Sequence, residues 1–145
     1  MWLPRRHGLR RLGLLDFQLG QLGQPAYDLV SLLQDARRDV QPATEALMIR
    51  RFAGAAGAAE ADFAAAYAAL GIQRALRILG IFARLCLHGG KAGYLPLMPR
   101  VWRHLQRNLA HPALAGFHSA CTVLPPPTPE NLQRIKAQCG KHPRV

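Results

Sequence analysis

Cysteine, acidic charge and long apolar runs are all in short supply in this chain. Cys86, Cys121 and Cys139 are odd in number, far apart and without a CxxC pair, which gives neither a disulfide framework nor a zinc site and points to a reducing cytoplasm. No stretch approaches the roughly 18 uninterrupted apolar residues of a membrane helix, and the opening MWLPRRHGLRR lacks the apolar segment of a signal peptide. Neither export nor membrane spanning is expected. The histidines at 7, 88, 104, 111, 118 and 142 form no HxxxH pair and read as solvated or capping residues. Gly89-Gly90-Lys91 lacks the Walker spacing and reads as a helix stop.

The shortage of acid leaves 8 Asp+Glu against 19 Lys+Arg, a net charge of +11 that favours phosphates, nucleic acid or an anionic membrane surface. The arginines are scattered through apolar helical segments and are not concentrated in a tail. They have no aromatic interleaving and no DNA-reading motif around them, so nucleic acid is not an expected partner.

What is present is ordinary globular material: 145 residues, enough for one domain, 50% hydrophobic and 19% charged. Two short apolar runs, the first opening on Met1-Trp2-Leu3, flank a Pro- and Gly-containing turn and predict a hairpin over 1–17, ending on Leu14-Leu15-Asp16-Phe17. Helical spacing begins at Pro25 with Leu29, Leu32 and Leu33 and runs to the Asp39 region. A second helix follows Pro42 and fades over Gly54–Gly57, and Phe63, Tyr67 and Leu70 mark a third. Ile72–Leu87 is apolar around most of its circumference and predicts a central buried helix. Tyr94–Leu109 predicts a further helix interrupted early by Pro96 and Pro99. Pro125-Pro126-Pro127 predicts a stiff linker, and Asn131–Cys139 a last short helix. The division is thus 1–124, with hairpin 1–17 and helical body 25–110, followed by a Pro-rich linker and short helix over 125–145. The fold class is mainly α.

An aspartate at the end of an apolar strand, as in Leu14-Leu15-Asp16-Phe17-Gln18, holds a carboxylate at the mouth of a cleft, although turn and cap aspartates occupy similar positions. The string from Gly13 through Asp39, with Gly23-x-Pro25-Ala26-Tyr27-Asp28-Leu29-Val30-Ser31-Leu32-Leu33 at its centre, resembles the aminoglycoside phosphotransferase and choline kinase-like family. Within that family it is most similar to bacterial amino sugar kinases acting on N-acetylmuramate and N-acetylglucosamine. The similarity continues through Gln73-Arg74-x-Leu76-Arg77-Ile78-Leu79-Gly80-Ile81-Phe82 and Leu97-x-Pro99-Arg100-Val101-Trp102.

The resemblance implies the helical C-terminal lobe of a protein kinase-like α+β fold. It implies ATP and Mg²⁺ as cofactors, Asp16 as a metal ligand and Asp28 as the helix-entrance aspartate that braces the catalytic loop. Asp28 is equally placed to complement the dipole in a first helical turn. Arg74 and Arg77, one helical turn apart, are candidates for gripping an anionic group on a sugar acceptor, or else form a solvated or ion-paired face.

The sequence departs from the pattern it resembles in several places. It contains no His-x-Asp-x-x-x-x-Asn, no nucleotide-covering lobe, Leu19-Gly20 where an acidic residue usually follows the DFQ triplet, and Ala75 where related sequences often have asparagine. The resemblance places the catalytic loop directly ahead of the segment that begins here at Met1, so no catalytic base is expected in this chain and the base is expected upstream of Met1. The expectation is therefore the C-terminal part of an ATP-dependent small-molecule phosphotransferase, inactive alone and binding neither ATP nor Mg²⁺ tightly. The alternatives are half of a split kinase completed by a separate N-terminal lobe, or a basic helical binding module.

Overall fold

The computed structural model describes residues 2–13 and 22–142. Among these residues the molecule is helical and has no strand. The opening segment closes on itself through an isolated antiparallel bridge between Trp2 and Leu12 and a hydrogen bond from Leu3 N–H to Arg11 C=O at 2.7 Å. A 3-10 turn, Gly8–Arg11, makes the bend, and the Arg11 guanidinium lies 4.8 Å above the Trp2 ring. Instead of a strand ladder, the described part of the expected hairpin shows one bridge and this cation–π contact. Met1, with which the expected first strand opens, and the expected second strand beyond Gly13 both fall outside the described residues.

Helix α1, Ala26–Leu33, begins where the Gln24 side-chain oxygen accepts from Ala26 N–H at 2.5 Å. Its buried residues Ala26, Leu29, Val30 and Leu33 follow the i, i+3, i+4, i+7 spacing of one helix face. It ends at Gln34, short of the Asp39 region. Helix α2, Pro42–Ala55, has proline in its first turn and stops at the Gly54–Gly57 stretch. There Gly57 takes φ +64°, a conformation that residues with a Cβ avoid.

The third and central helices expected from the sequence are a single element. Helix α3, Glu60–Leu87, runs through 28 residues without a break, a rod of about 42 Å at 1.5 Å per residue. Gly71, which resembles a boundary in the sequence, lies buried inside it. After Gly90, at φ +64°, the chain turns back so that Lys91 N–H bonds Leu85 C=O at 3.0 Å. A 3-10 turn, Ala92–Leu97, then absorbs Pro96 and leads into helix α4, Met98–Leu109. A second 3-10 turn, Pro112–Leu114, precedes α5, Ala115–Cys121, an element that apolar periodicity did not announce. The Pro125–Pro127 connection delivers α6, Pro129–Ala137, capped by Thr128, whose Oγ1 accepts from Asn131 N–H at 3.2 Å.

Helix α3 is the spine because it serves two apolar clusters. Its first half, through Phe63 and Tyr67, packs with Ala26, Leu29, Val30 and Leu33 of α1 and Ala53 of α2. Its second half, through Ile72, Ala75, Phe82 and Cys86, packs with Leu95 and with Met98, Val101, Leu105 and Leu109 of α4. The α4 set again has helical spacing, and Leu105 and Val101 are among the most completely buried large side chains. Leu132, Ile135 and Cys139 bring α6 against this second cluster.

Candidate functional site

Four elements converge on a buried polar knot where the two apolar clusters meet. Gln34 closes α1, Glu45 lies in the first turn of α2, Tyr67 in α3 and Asn108 in α4, and each is less than a tenth exposed. Gln34 and Asn108 form a reciprocal amide pair. The Gln34 Nε2 donates to Asn108 Oδ1 at 3.1 Å, and Asn108 Nδ2 donates to Gln34 Oε1 at 2.9 Å. Glu45 Oε1 accepts from Gln34 Nε2 at 3.1 Å, from the Tyr67 hydroxyl at 2.7 Å and from Arg107 Nη2 at 2.8 Å. Its Oε2 also lies 2.7 Å from Arg107 Nη2.

Burial, reinforced by the Glu45 carboxylate that its hydroxyl donates to, pushes the Tyr67 pKa far above the ordinary phenol value. The phenol therefore stays protonated and holds this bond. His104 is pushed down, first by burial and then by the adjacent Arg107 charge. A guanidinium can only donate, so the 3.3 Å contact from Arg107 Nη2 makes His104 Nδ1 the acceptor of a neutral ring. That assignment leaves the proton on Nε2, a buried atom without a hydrogen-bond partner.

This knot borders a shallow recess of about 310 Å³ between α2, α3 and α4, lined in part by Glu45, Tyr67, Arg107, Asn108 and His111. Its donors and acceptors are largely engaged with one another. The arrangement therefore fixes helix positions and offers few free groups to a ligand. Polar residues dispersed through helical segments give no sequence motif for it. The one available signal is a small residue, Gly71, opposite a buried amide. A Cβ at position 71 would meet Asn108 Nδ2 at 2.2 Å, so glycine is what allows α4 to seat its asparagine against α3.

Of the residues expected to carry chemistry, the described ones stand on α1 and α3. Asp16 lies outside the described residues, and so does Met1, upstream of which the catalytic base is expected. Asp28 is exposed in the first turn of α1, where the Ala26 amide is already taken by Gln24. Arg74 and Arg77 both stand on α3. Arg77 is exposed, while Arg74 is half-buried with its Nε lacking a hydrogen-bond partner. Neither forms an ion pair with a carboxylate among the described residues.

Two of the strings that carry the family resemblance do meet in space. Arg100 donates through Nε and Nη2 to the two carboxylate oxygens of Asp39 at 2.9 and 2.7 Å, and through Nη1 to Ala36 C=O at 2.9 Å. This fork ties the loop after α1 to the start of α4. Among the described residues, no group of three His, Cys, Asp or Glu side chains is placed to hold a metal ion, and no helix is long and apolar enough to cross a membrane.

No protein-family profile matches the chain. Four bacterial proteins named N-acetylmuramate/N-acetylglucosamine kinase do. The chain is 47% identical over 116 residues to the protein of Caulobacter vibrioides, covering 79% of this chain and 32% of that one. It is 36% identical over 121 residues to the protein of Pseudomonas aeruginosa, covering 78% and 36%. It is 39% identical over 104 residues to the protein of Neisseria meningitidis, covering 67% and 31%. The chain therefore spans about a third of the length of the curated relatives it matches, and over most of its own length it is similar to amino sugar kinases.

Proposed function

We propose that these residues form the helical C-terminal part of an ATP-dependent phosphotransferase that transfers the γ-phosphoryl group to a hydroxyl of a cell-wall amino sugar, in the cytoplasm. The observation that carries the proposal is the 47% identity to an N-acetylmuramate/N-acetylglucosamine kinase over 79% of the chain. On this reading Asp16 is one ligand of a Mg²⁺ ion bridging the ATP phosphates, and Asp28 braces a catalytic loop supplied from outside these residues. Mg²⁺ is held in such sites by one or two carboxylates together with substrate phosphates. Asp16 would supply one of these carboxylates.

Arg74 and Arg77 would face the acceptor. Arg74 supports this role, because its buried Nε lacks a hydrogen-bond partner. A carboxylate-bearing sugar suits two arginines better than a cationic aminoglycoside does.

The chain has no His-x-Asp-x-x-x-x-Asn and no nucleotide lobe, so residues 1–145 alone are inactive and act only when completed by a nucleotide-binding lobe. A second observation favours such a completing lobe. Large apolar side chains stand exposed at the N-terminal end of the chain, at Trp2, Leu9, Leu12, Leu22 and Leu32. The test is phosphorylation of N-acetylmuramate by purified residues 1–145 with Mg-ATP, followed by phosphorus NMR. No sugar phosphate is expected, and turnover by the isolated chain would overturn the proposal.

A further inference from the structure

The chain's last turns return to the end of α3 and place two thiols together. Cys86, next to the last residue of α3, has no exposed surface, while Cys139, just beyond α6, is half-buried on the same apolar cluster. Gly140 N–H donates to Cys86 C=O at 2.9 Å, and His142 N–H donates to Leu87 C=O at 3.2 Å. The two cysteine Cα atoms thus each lie two bonds from an end of the 2.9 Å hydrogen bond, which brings the two backbone segments side by side. The Cys86 sulfur sits 3.8 Å from Ile135 C=O, and Cys139 packs against the apolar cluster to which Cys86 belongs. Where the tail passes the α3 terminus, Gly90 and Gly140 both take positive φ, and a Cβ on Gly140 would lie 3.6 Å from Gly90 Cα.

We propose that Cys86 and Cys139 form a redox modification site, at which a hydroperoxide converts the thiol pair to a disulfide that staples the C-terminal tail to α3. The roles of the two sulfurs follow from their surroundings. Burial and the neighbouring Cys139 thiol push the Cys86 pKa up to about 11, so Cys86 stays a thiol at neutral pH. Of the two residues, Cys139 is the one with surface exposed to solvent. Cys139 gives up its thiol proton and the thiolate attacks the peroxide oxygen; the O–O bond breaks, and the departing hydroxide takes up that proton, leaving a sulfenic acid and water. The Cys86 sulfur then attacks the sulfenic sulfur, and the S–O bond breaks. Hydroxide leaves and takes up the Cys86 proton as water. The two thiols supply two electrons and one hydrogen peroxide is reduced to two waters, so the step balances.

The consequence falls on α6, which has no fully buried residue of its own and rests on half-buried Leu132 and Ile135. A covalent link closing the loop from 86 to 139 restricts its departure from α3.

The test treats the full 145-residue chain with hydrogen peroxide near stoichiometry, followed by peptide mass analysis without reductant. The expected product is a Cys86–Cys139 cross-linked peptide lacking two hydrogens, reversed by dithiothreitol. Amide exchange across α6 should slow by about tenfold or more. Cys139→Ser, at a half-buried position where folding can be confirmed by circular dichroism, should abolish the cross-link, and Cys121→Ser should leave it intact. Oxidation of Cys139 to sulfinic acid without a cross-link, a cross-link through Cys121, or unchanged exchange across α6 would each overturn the proposal.

Discussion

Glu45 concentrates more of the molecule's polar organisation than any other described side chain, and its substitution should be correspondingly costly. It accepts from Tyr67, Gln34 and Arg107 while itself being only 6% exposed. Glu45→Ala strands two buried donors, and the loss should be roughly 3 kcal/mol, read as a fall in the urea unfolding midpoint. Little of this belongs to the ion pair, because Arg107 is 45% exposed and screened by solvent. Tyr67→Phe, which removes one of these bonds, should cost about 1 kcal/mol in the same measurement.

His104 gives the knot a pH dependence. Its folded pKa lies below the ordinary value of 6.5, through burial and then the Arg107 charge, so the unfolded chain binds the proton more readily than the folded one. The associated stability is present above pH 6.5 and is lost as pH falls from there through the lower folded value. Unfolding midpoints measured from about pH 7 down to about pH 5 should decline, and His104→Asn should flatten that decline.

At the scale of elements, α3 decides the architecture and shows which parts of it could be read from the chain. The apolar spacing of α1, the proline entrance of α2 and the glycine stop after Leu87 all appear where periodicity and turn chemistry place them, because each is a local effect. The continuity of α3 is not local. Gly71 carries the propensity of a break, yet it serves as the contact that admits Asn108 from α4, and a tertiary neighbour outweighs the local cost of roughly 1 kcal/mol. Helix α5 has no sequence signature because its seven residues, AGFHSAC, are too short to establish a period. The polar knot was illegible for a similar reason, since its members are separated by tens of residues and meet only after four helices pack.

Gly71 and Gly80 provide a matched test on the same helix. Gly71→Ala would force the Asn108 amide out of its pair with Gln34 and should destabilise by about 2–3 kcal/mol. Gly80→Ala, exposed and with nothing within 4 Å of the added methyl, should stabilise by roughly 0.5–1 kcal/mol. Thermal unfolding of the two variants should move in opposite directions.

For the molecule as a whole, the described residues form a packed helical body around the α3 spine, with exposed apolar side chains near the N-terminal end and a net charge of +11. On the proposed function, this body would receive a second lobe and hold an anionic acceptor. The most direct measurement is made on a chimera in which the stretch of the Caulobacter vibrioides kinase that matches this chain is replaced by residues 1–145. Mg-ATP-dependent phosphorylation of N-acetylmuramate is then followed, with and without Asp16→Asn. The proposed function predicts turnover that falls by at least about 100-fold in the Asp16→Asn chimera. A folded chimera that binds ATP but transfers no phosphate, or one indifferent to Asp16→Asn, would contradict it.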